Sequence, residues 1–438
     1  MNALWLTLAS LAAILVLIGL RVPIGVALGA VAFAGFWHLR NLTVALGVIR
    51  ETPFVFAANW DLSAIPMFLL MGAIANNSGI SASLFRAARV WFSGLPGGLA
   101  VATNIASAGF AAACGSSIAA AAAMARLAVP EMLKHGYDKA LAAGVVASAG
   151  TLAALIPPSI LFVLYGIFAE VSVVKLLIAG VIPGLLTAAI YTIMIVARCS
   201  FDPSLAPRVS RAERDSLREQ RRGAIKEVWP LLLLILGIIG GLYAGVITPT
   251  EAGAGGASLA AVIGIAQRKL TLPKFIDALT DAMITTAQIF FIGMGAVMYT
   301  KFLALAGISP LFTELVGGWA FSPVLLVVAV SIIYLILGMF LDPLGILLIT
   351  IPVFVPMFAA LKLDLVWLGV LVVKYVEIGM LTPPVGFNVF VVKNAVGDSI
   401  PLETIFRGCF WFLGCEILIM TLLITFPAIS LWLPNTMK

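Results

Sequence analysis

Four short groups of polar or helix-breaking residues interrupt an otherwise apolar chain, and their types could do chemistry. Two are turn-like tips, Gly115-Ser116-Ser117 and Asp342-Pro343, and two are proline pairs, Pro157-Pro158 and Pro383-Pro384. Paired prolines remove two backbone donors and clash with the preceding turn, so a helix must open there and free its carbonyl oxygens. Carbonyl, hydroxyl and carboxylate oxygens are hard ligands, which suit Na⁺ better than a transition metal.

The rest of the chain has the composition of a membrane protein. Of its 438 residues, 62% are apolar and 11% are charged, whereas soluble domains have about 45–50% and about 25%. Apolar runs of roughly 20 residues, the length needed to cross a bilayer, recur along nearly the whole chain. The composition predicts an all-α polytopic membrane protein and excludes a soluble enzyme, a nucleic-acid-binding protein and a disordered chain.

The apolar pattern predicts ten spans and two hairpins. The two tips lie near the middles of apolar stretches at 96–131 and 322–360. Each arm of such a stretch is roughly 16 residues, or about 24 Å, which is short for a ~30 Å hydrocarbon core, so we predict re-entrant hairpins. The predicted spans are 3–20, 23–39, 60–77, 138–169, 175–198, 228–247, 251–267, 280–303, 365–397 and 408–433.

The basic residues predict the orientation. Arg86 and Arg89 precede the first hairpin and Lys134 and Lys139 follow it, as expected of an element that enters and leaves by one face. A loop at 201–227 is rich in Lys and Arg, which predicts a cytoplasmic position under the positive-inside rule. The resulting topology places both termini outside and opens the two hairpins on opposite faces.

The two halves of the sequence also match each other. Gly79-Ile80-Ser81 recurs as Gly307-Ile308-Ser309 at an offset of 228, and the proline pairs recur at an offset of 226. Since the hairpins open on opposite faces, we predict inverted-topology repeats, the architecture of secondary transporters. The predicted division is a first repeat at 1–200, the basic loop at 201–227 and a second repeat at 228–438, with broken helices at 138–169 and 365–397.

We predict that tips and breaks together form two cation sites flanking one substrate site. Ser116 and Ser117 offer hydroxyls at the start of a returning helix, and Asp342 adds a carboxylate that a hairpin would place deep in the membrane. We assign substrate binding to Ser116, Arg126, Ser159, Asp342 and Asn388.

Each assignment has a structural alternative. The proline pairs could only kink their helices, the serine hydroxyls could bond back to helical carbonyls, and Asp342 could be an ordinary loop carboxylate. Arg126 could be a structural charge whose head group reaches the membrane surface. Lys374 and Glu377, three residues apart, are expected to neutralise each other on one helix face.

At these residues the chain resembles the large membrane subunit of the tripartite ATP-independent periplasmic (TRAP) transporters. The resemblance follows family order along nearly the whole chain, and it implies a Na⁺-driven, elevator-type importer of a small organic acid, with Na⁺ as coupling ion and no cofactor. It also implies a periplasmic solute-binding protein, a separate four-helix membrane subunit and a place in the bacterial cytoplasmic membrane. The matching segments include Gly115-Ser116-Ser117, Leu155-Ile156-Pro157-Pro158-Ser159, Thr248-Pro249-Thr250-Glu251-Ala252 and Thr382-Pro383-Pro384-Val385-Gly386.

The resemblance further implies two Na⁺ regions, one in each repeat. The first comprises Gly115, Ser116, Ser117, Gly150, Thr151 and the break at Pro157-Pro158. The second comprises Gly338, Asp342, Gly379, Thr382 and the break at Pro383-Pro384.

Two alternatives of other kinds stay open at this point. A stand-alone Na⁺/carboxylate symporter of similar architecture would need no binding protein. An integral membrane enzyme would need acids, His or Cys clustered at one face, and the two histidines, His38 and His135, lie far apart among scattered carboxylates. Without such a cluster we expect no enzymatic activity, and without a GxxxxGK[ST] motif we expect no ATP hydrolysis by this chain.

Overall fold

The structure is a computed structural model that describes residues 3–207, 220–307 and 323–437. Every regular element in these ranges is a helix, and none of the described residues forms a strand. The all-α class expected from composition is therefore confirmed. Three sequence features lie wholly or largely outside the described residues: the second member of the Gly-Ile-Ser match, an amphipathic stretch at 307–319 and the centre of the basic loop.

Most predicted apolar segments contain helices, but the helices at 42–57 and 80–92 lie outside the predicted spans, and the predicted span 408–433 is divided between two helices that are separated at 426–427. Short 3₁₀ turns lie at Trp60–Ser63, Thr151–Ala154 and Gly397–Ser399. The α-helices are α1 (Ala3–Gly19), α2 (Ile24–Leu39), α3 (Leu42–Ala57), α4 (Ala64–Asn77), α5 (Ile80–Phe92), α6 (Gly98–Cys114), α7 (Ser117–Lys134), α8 (Lys139–Gly150), α9 (Ile160–Phe168), α10 (Val173–Ala179), α11 (Val181–Phe201), α12 (Arg221–Tyr243), α13 (Pro249–Ala266), α14 (Leu272–Leu305), α15 (Pro323–Gly338), α16 (Pro343–Ala360), α17 (Leu365–Gly379), α18 (Phe387–Val396), α19 (Leu402–Thr425) and α20 (Ala428–Asn435).

Several helices are long and apolar enough to cross a bilayer unaided. In the described part of the chain there are four: α14, α16, α19 and the continuous run Val173–Phe201. A fifth arises if α3 and the helix Trp60–Asn77, which are bent by 56° at their junction, form one span. The returning arms of the two hairpins, α7 and α16, each have 18 residues and are longer than the sequence estimate. The chain is thus a multi-pass helical membrane protein.

Both proline pairs interrupt their helices as expected. The first broken helix stops at Gly150, turns through Thr151–Ala154 and resumes at Ile160. The second stops at Gly379 and resumes at Phe387. The Pro157-Pro158 and Pro383-Pro384 peptide bonds, which lie in these two gaps, are both cis.

The two halves of each broken helix contact different hairpins. Before the break, α8 packs against both arms of the first hairpin, α6 and α7, and α17 packs against both arms of the second, α15 and α16. After the break the partners cross, since α18 packs against α7 and α9 packs against α16. Each hairpin therefore contacts the first half of one broken helix and the second half of the other.

Two pairs of outer helices make equivalent contacts in the two halves of the chain. Helix α2 packs along α14, and α4 packs along α13. A Cβ placed on Gly29 of α2 would lie 3.9 Å from the Met298 sulfur, and one on Gly256 of α13 would lie 2.4 Å from the Met71 sulfur. Gly29 and Gly256 are 227 positions apart, and so are Met71 and Met298.

The crossing of α8 and α19 depends on two glycines and yields a first prediction. A Cβ on Gly408 would lie 1.9 Å from the Ala140 carbonyl oxygen, and one on Gly144 would lie 2.5 Å from the Gly408 carbonyl carbon. We expect Gly408→Ala to force the helices apart and to cost about 1–3 kcal/mol, measured as a lower melting temperature in detergent. Gly414→Ala is the control, because its Cβ would meet nothing within 4 Å. Equal melting of the two variants would contradict the prediction.

Candidate functional site

The first hairpin tip lies against the first break. Gly115 follows α6 with a φ of +66°, which glycine adopts without steric cost. A Cβ at Gly115 would lie 2.7 Å from the Pro158 carbonyl oxygen, so any residue larger than glycine would push the tip away from the first break. The Ile160 N–H donates to the Gly115 carbonyl at 3.3 Å. Backbone contact thus joins the tip to the start of α9.

The two tip serines have different partners. The Ser116 Oγ accepts a long hydrogen bond, 3.5 Å, from the Ala119 N–H and caps α7. The Ser117 Oγ donates to the Glu377 Oε1 at 2.8 Å. Because Glu377 lies on α17 shortly before the second break, the first tip contacts elements at both breaks.

The second tip has the same local design with a carboxylate. The Asp342 Oδ2 accepts from the Leu344 N–H at 3.1 Å and from the Gly345 N–H at 3.0 Å, so Asp342 caps α16. Asp342 is half-buried. Just before this tip, a Cβ on Gly338 would lie 2.7 Å from the Gly379 Cα, so the ends of α15 and α17 meet through glycine.

Side-chain caps begin corresponding helices of the two halves. Ser116 caps α7 and Asp342 caps α16, and these residues are 226 positions apart. Asp138 caps α8 and Asp364 caps α17, again 226 positions apart. An N-cap oxygen satisfies a backbone N–H that the helix itself leaves free. The caps therefore define where the hairpin arms and the broken helices start.

The remaining residues of the two predicted Na⁺ regions lie at the helix ends around the breaks. A Cβ on Gly150 would lie 2.8 Å from the Ala121 Cβ of α7. The Thr151 Oγ1 donates to the Ser148 carbonyl at 2.6 Å, and the Thr382 Oγ1 donates to the Ile378 carbonyl at 2.8 Å. Pro157 is buried, whereas Pro383 is partly exposed. The first break is thus more enclosed than the second.

The residues predicted to bind substrate lie on several different elements. Ser159 caps α9 beside the first tip, and the buried Asn388 donates from Nδ2 to the Ala147 carbonyl at 3.4 Å. Arg126 is exposed on α7, roughly 14 Å along the axis from Ser117. A cavity of about 450 Å³ lies elsewhere, lined by residues near 59–61, 166–174 and 248–250, and contains none of the five predicted residues.

The expected pairing of Lys374 with Glu377 is wrong. The Lys374 Nζ lies 2.6 Å from the Glu416 Oε1 of α19 and 3.2 Å from the Thr187 Oγ1 of α11. The Tyr191 hydroxyl donates to the same Glu416 oxygen. The packing of α17 against α19 brings a carboxylate to Lys374 that the spacing along one helix cannot reveal. A lone glutamate in the apolar run at 408–433 is the sequence signal that could have identified Glu416.

The fold and the site together define a class of protein. Two helical hairpins contact two broken helices in a crossed arrangement, and polar side chains concentrate where they meet. Open backbone of this kind is tolerated within a membrane only where it is buried in protein or lines a cavity, and discontinuous helices are typical of secondary transporters. The chain therefore has the architecture of a membrane transport protein.

Comparison with known proteins identifies the family. Residues 11–429 match the family described as "Tripartite ATP-independent periplasmic transporter, DctM component", and the chain belongs to it. It is 37% identical over 400 residues to the C4-dicarboxylate TRAP transporter large permease protein DctM of Pseudomonas aeruginosa, and this match covers 91% of this chain and 90% of that protein. It is 32% identical over 415 residues to the sialic acid TRAP transporter large permease protein SiaM of Vibrio cholerae, and this match covers 94% of this chain and 95% of that protein.

The fold also has a solved counterpart. The crystal structure of the Alcanivorax borkumensis YdaH transporter superposes with a TM-score of 0.60, covering 87% of this chain and 89% of that chain. The sequence identity is 16%, so this similarity concerns the fold alone. The TRAP resemblance found in the sequence is confirmed by the family match, and the chain is a TRAP large permease subunit.

Proposed function

We propose that this chain is the membrane permease of a Na⁺-coupled secondary importer for a small organic acid in the bacterial cytoplasmic membrane. The relatives named for C4-dicarboxylate and for sialic acid both concern molecules that carry carboxylates. The observation that carries the proposal is the crossed contact of two hairpins with two broken helices. This contact gathers polar side chains beside freed backbone groups inside a membrane protein.

The coupling ion follows from the donor atoms around the breaks. Ser117, Thr151, Asp342 and Thr382 provide hydroxyl and carboxylate oxygens, and the interrupted helices add carbonyls. Oxygen donors without a His or Cys cluster suit an alkali cation. We assign Na⁺ to two regions, one at the first tip and break and the other at the second.

The proposed elevator-type movement is argued from the structural match between the two halves of the chain. The shared offsets of the outer helix pairs, of the caps and of the proline pairs support two repeats, and their inverted topology rests on the predicted orientation of the hairpins. We assign α6–α9 and α15–α18 to a moving unit and α1–α4 with α12–α14 to a scaffold. Rigid-body movement of the first past the second would carry the site across the membrane.

The family description supports the predicted partners. It names a tripartite transporter, of which this chain is one component. We assign the other two roles to a small four-helix membrane subunit and to a periplasmic binding protein that delivers the acid. A stand-alone symporter is the alternative, and it predicts uptake by this chain in the absence of both.

Reconstitution in liposomes tests the coupling. We expect the chain, with both partner components, to accumulate a radiolabelled acid that its binding protein holds, in proportion to an inward Na⁺ gradient. Replacing external Na⁺ by choline should abolish accumulation, and omitting either partner should do the same. Uptake that is unchanged in choline would contradict the Na⁺ coupling, and uptake by the chain alone would favour the stand-alone symporter.

A further inference from the structure

Glu377 is a buried carboxylate with only one of its two oxygens satisfied. The residue is 1% exposed, and its Oε1 accepts the hydrogen bond from Ser117. Its Oε2 has no hydrogen-bond partner among the residues that the structure describes. A buried carboxylate oxygen without a partner is costly, so this atom needs a ligand.

The neighbouring cation does not supply that ligand. The ammonium of Lys374, whose side chain is fully buried, bonds Glu416 at 2.6 Å and Thr187 at 3.2 Å. With Glu377 and Glu416 ionised and Lys374 protonated, this buried group carries two negative charges and one positive charge. One further positive charge would balance it, and uncompensated charge is especially unfavourable inside a membrane protein.

The break itself adds a third oxygen at the same residue. In a continued α-helix the Leu381 N–H would donate to the Glu377 carbonyl. It donates instead to the Ile378 carbonyl at 3.0 Å, which frees the Glu377 carbonyl from the helical ladder. Glu377 thus combines a half-satisfied carboxylate with a released carbonyl, and the Ser117 hydroxyl lies beside it.

We propose that the Glu377 carboxylate is a direct ligand of a coupling Na⁺ ion, with the Ser117 hydroxyl as its neighbouring ligand, at a site between the first hairpin tip and the second broken helix. The inference rests on the proposed Na⁺ coupling and adds to it an anionic ligand from outside the predicted set. A cation at this position ties the hairpin of one half to the helix of the other. It also neutralises the buried group before the unit moves.

Na⁺-dependent melting of the purified full chain tests the site without substrate. We expect the melting temperature of the wild type to rise with Na⁺ replacing choline, because a ligand that binds the folded state stabilises it. In Glu377→Gln, the Na⁺ concentration for a half-maximal rise should increase at least about tenfold, because even the loss of a group that only orients a metal ligand lowers metal affinity by about 10–100-fold. In choline alone this variant should melt at or above the wild-type temperature, because it lacks the uncompensated charge.

A control and a second variant make the outcomes decisive. Glu251→Gln, which removes an exposed carboxylate from the cap of α13, should keep the wild-type Na⁺ midpoint. Glu377→Asp keeps the charge on a shorter side chain, so its Na⁺ midpoint should lie between those of the wild type and Glu377→Gln.

Several results would overturn the site. If Glu377→Gln kept the Na⁺ midpoint of the wild type, the proposed site would be wrong, but Na⁺ coupling would remain intact. Equal destabilisation of both Glu377 variants in choline and in Na⁺ would show a purely structural role. Absence of any Na⁺ shift in the wild type would overturn this site, and Na⁺-independent uptake would in addition overturn the coupling.

Discussion

Lys374→Met is expected to destabilise the folded protein by about 3–5 kcal/mol, the usual cost of removing one partner of a buried ion pair. Lys374 and Glu416 are 0% and 2% exposed, so the remaining carboxylate would be left without a counter-charge in the interior. The Tyr191 hydroxyl still donates to Glu416, but one neutral donor does not balance a buried charge. We expect the loss as low yield from the membrane and as a strongly lowered melting temperature in detergent.

The double variant Lys374→Met with Glu416→Gln is the matched control. Replacing both members of a buried pair by neutral residues of similar volume is often close to neutral, because no uncompensated charge remains. A double-mutant cycle on melting should therefore recover most of the stability lost in the single variant. Single and double variants that melt alike would show that the ion pair is not what Lys374 contributes.

The second large effect is expected at the carboxylate of the second tip. Asp342→Asn removes the charge and keeps the helix cap, because Asn caps a helix about as well as Asp. If the carboxylate takes part in cation or substrate binding, Na⁺-dependent uptake should fall at least about tenfold, which corresponds to about 1.4 kcal/mol. Melting of the purified protein should stay at the wild-type temperature.

Asp342→Ala separates the two roles of this residue. It removes both the charge and the acceptor of the Leu344 and Gly345 N–H groups, so it should add a loss of about 0.5–2 kcal/mol in stability. Reduced uptake in the alanine variant together with wild-type uptake in the asparagine variant would assign Asp342 a capping role only. That result would remove it from the proposed transport site.

The proline pairs show what could be predicted from local chemistry. Each pair lies in a gap between α-helices, at 151–159 and at 380–386, because missing backbone donors and ring clashes act in any tertiary context. The capping tips are similarly local. Ser116 and Asp342 precede helices because their side chains accept from backbone N–H groups two or three residues later.

The partners of the buried charges show what local chemistry could not predict. Sequence spacing predicts that Lys374 pairs with Glu377, three residues away, because these positions are neighbours on an isolated helix. In the folded chain Lys374 bonds Glu416, 42 residues away, and Glu377 bonds Ser117, 260 residues away. Burial determines these partners, because a charge that is removed from water must be paired, and any helix packed against it can supply the partner.

The membrane class, the helical content, the positions of the breaks and tips, and the family can all be predicted from the amino-acid sequence. These features follow from composition, from the backbone chemistry of proline and from motifs contiguous in the chain. The folded structure was needed to show that the hairpins cross between the two broken helices and that the first tip reaches Glu377. Those contacts depend on how distant helices pack, and the spacing of residues along one helix carries no information about which helix will lie beside it.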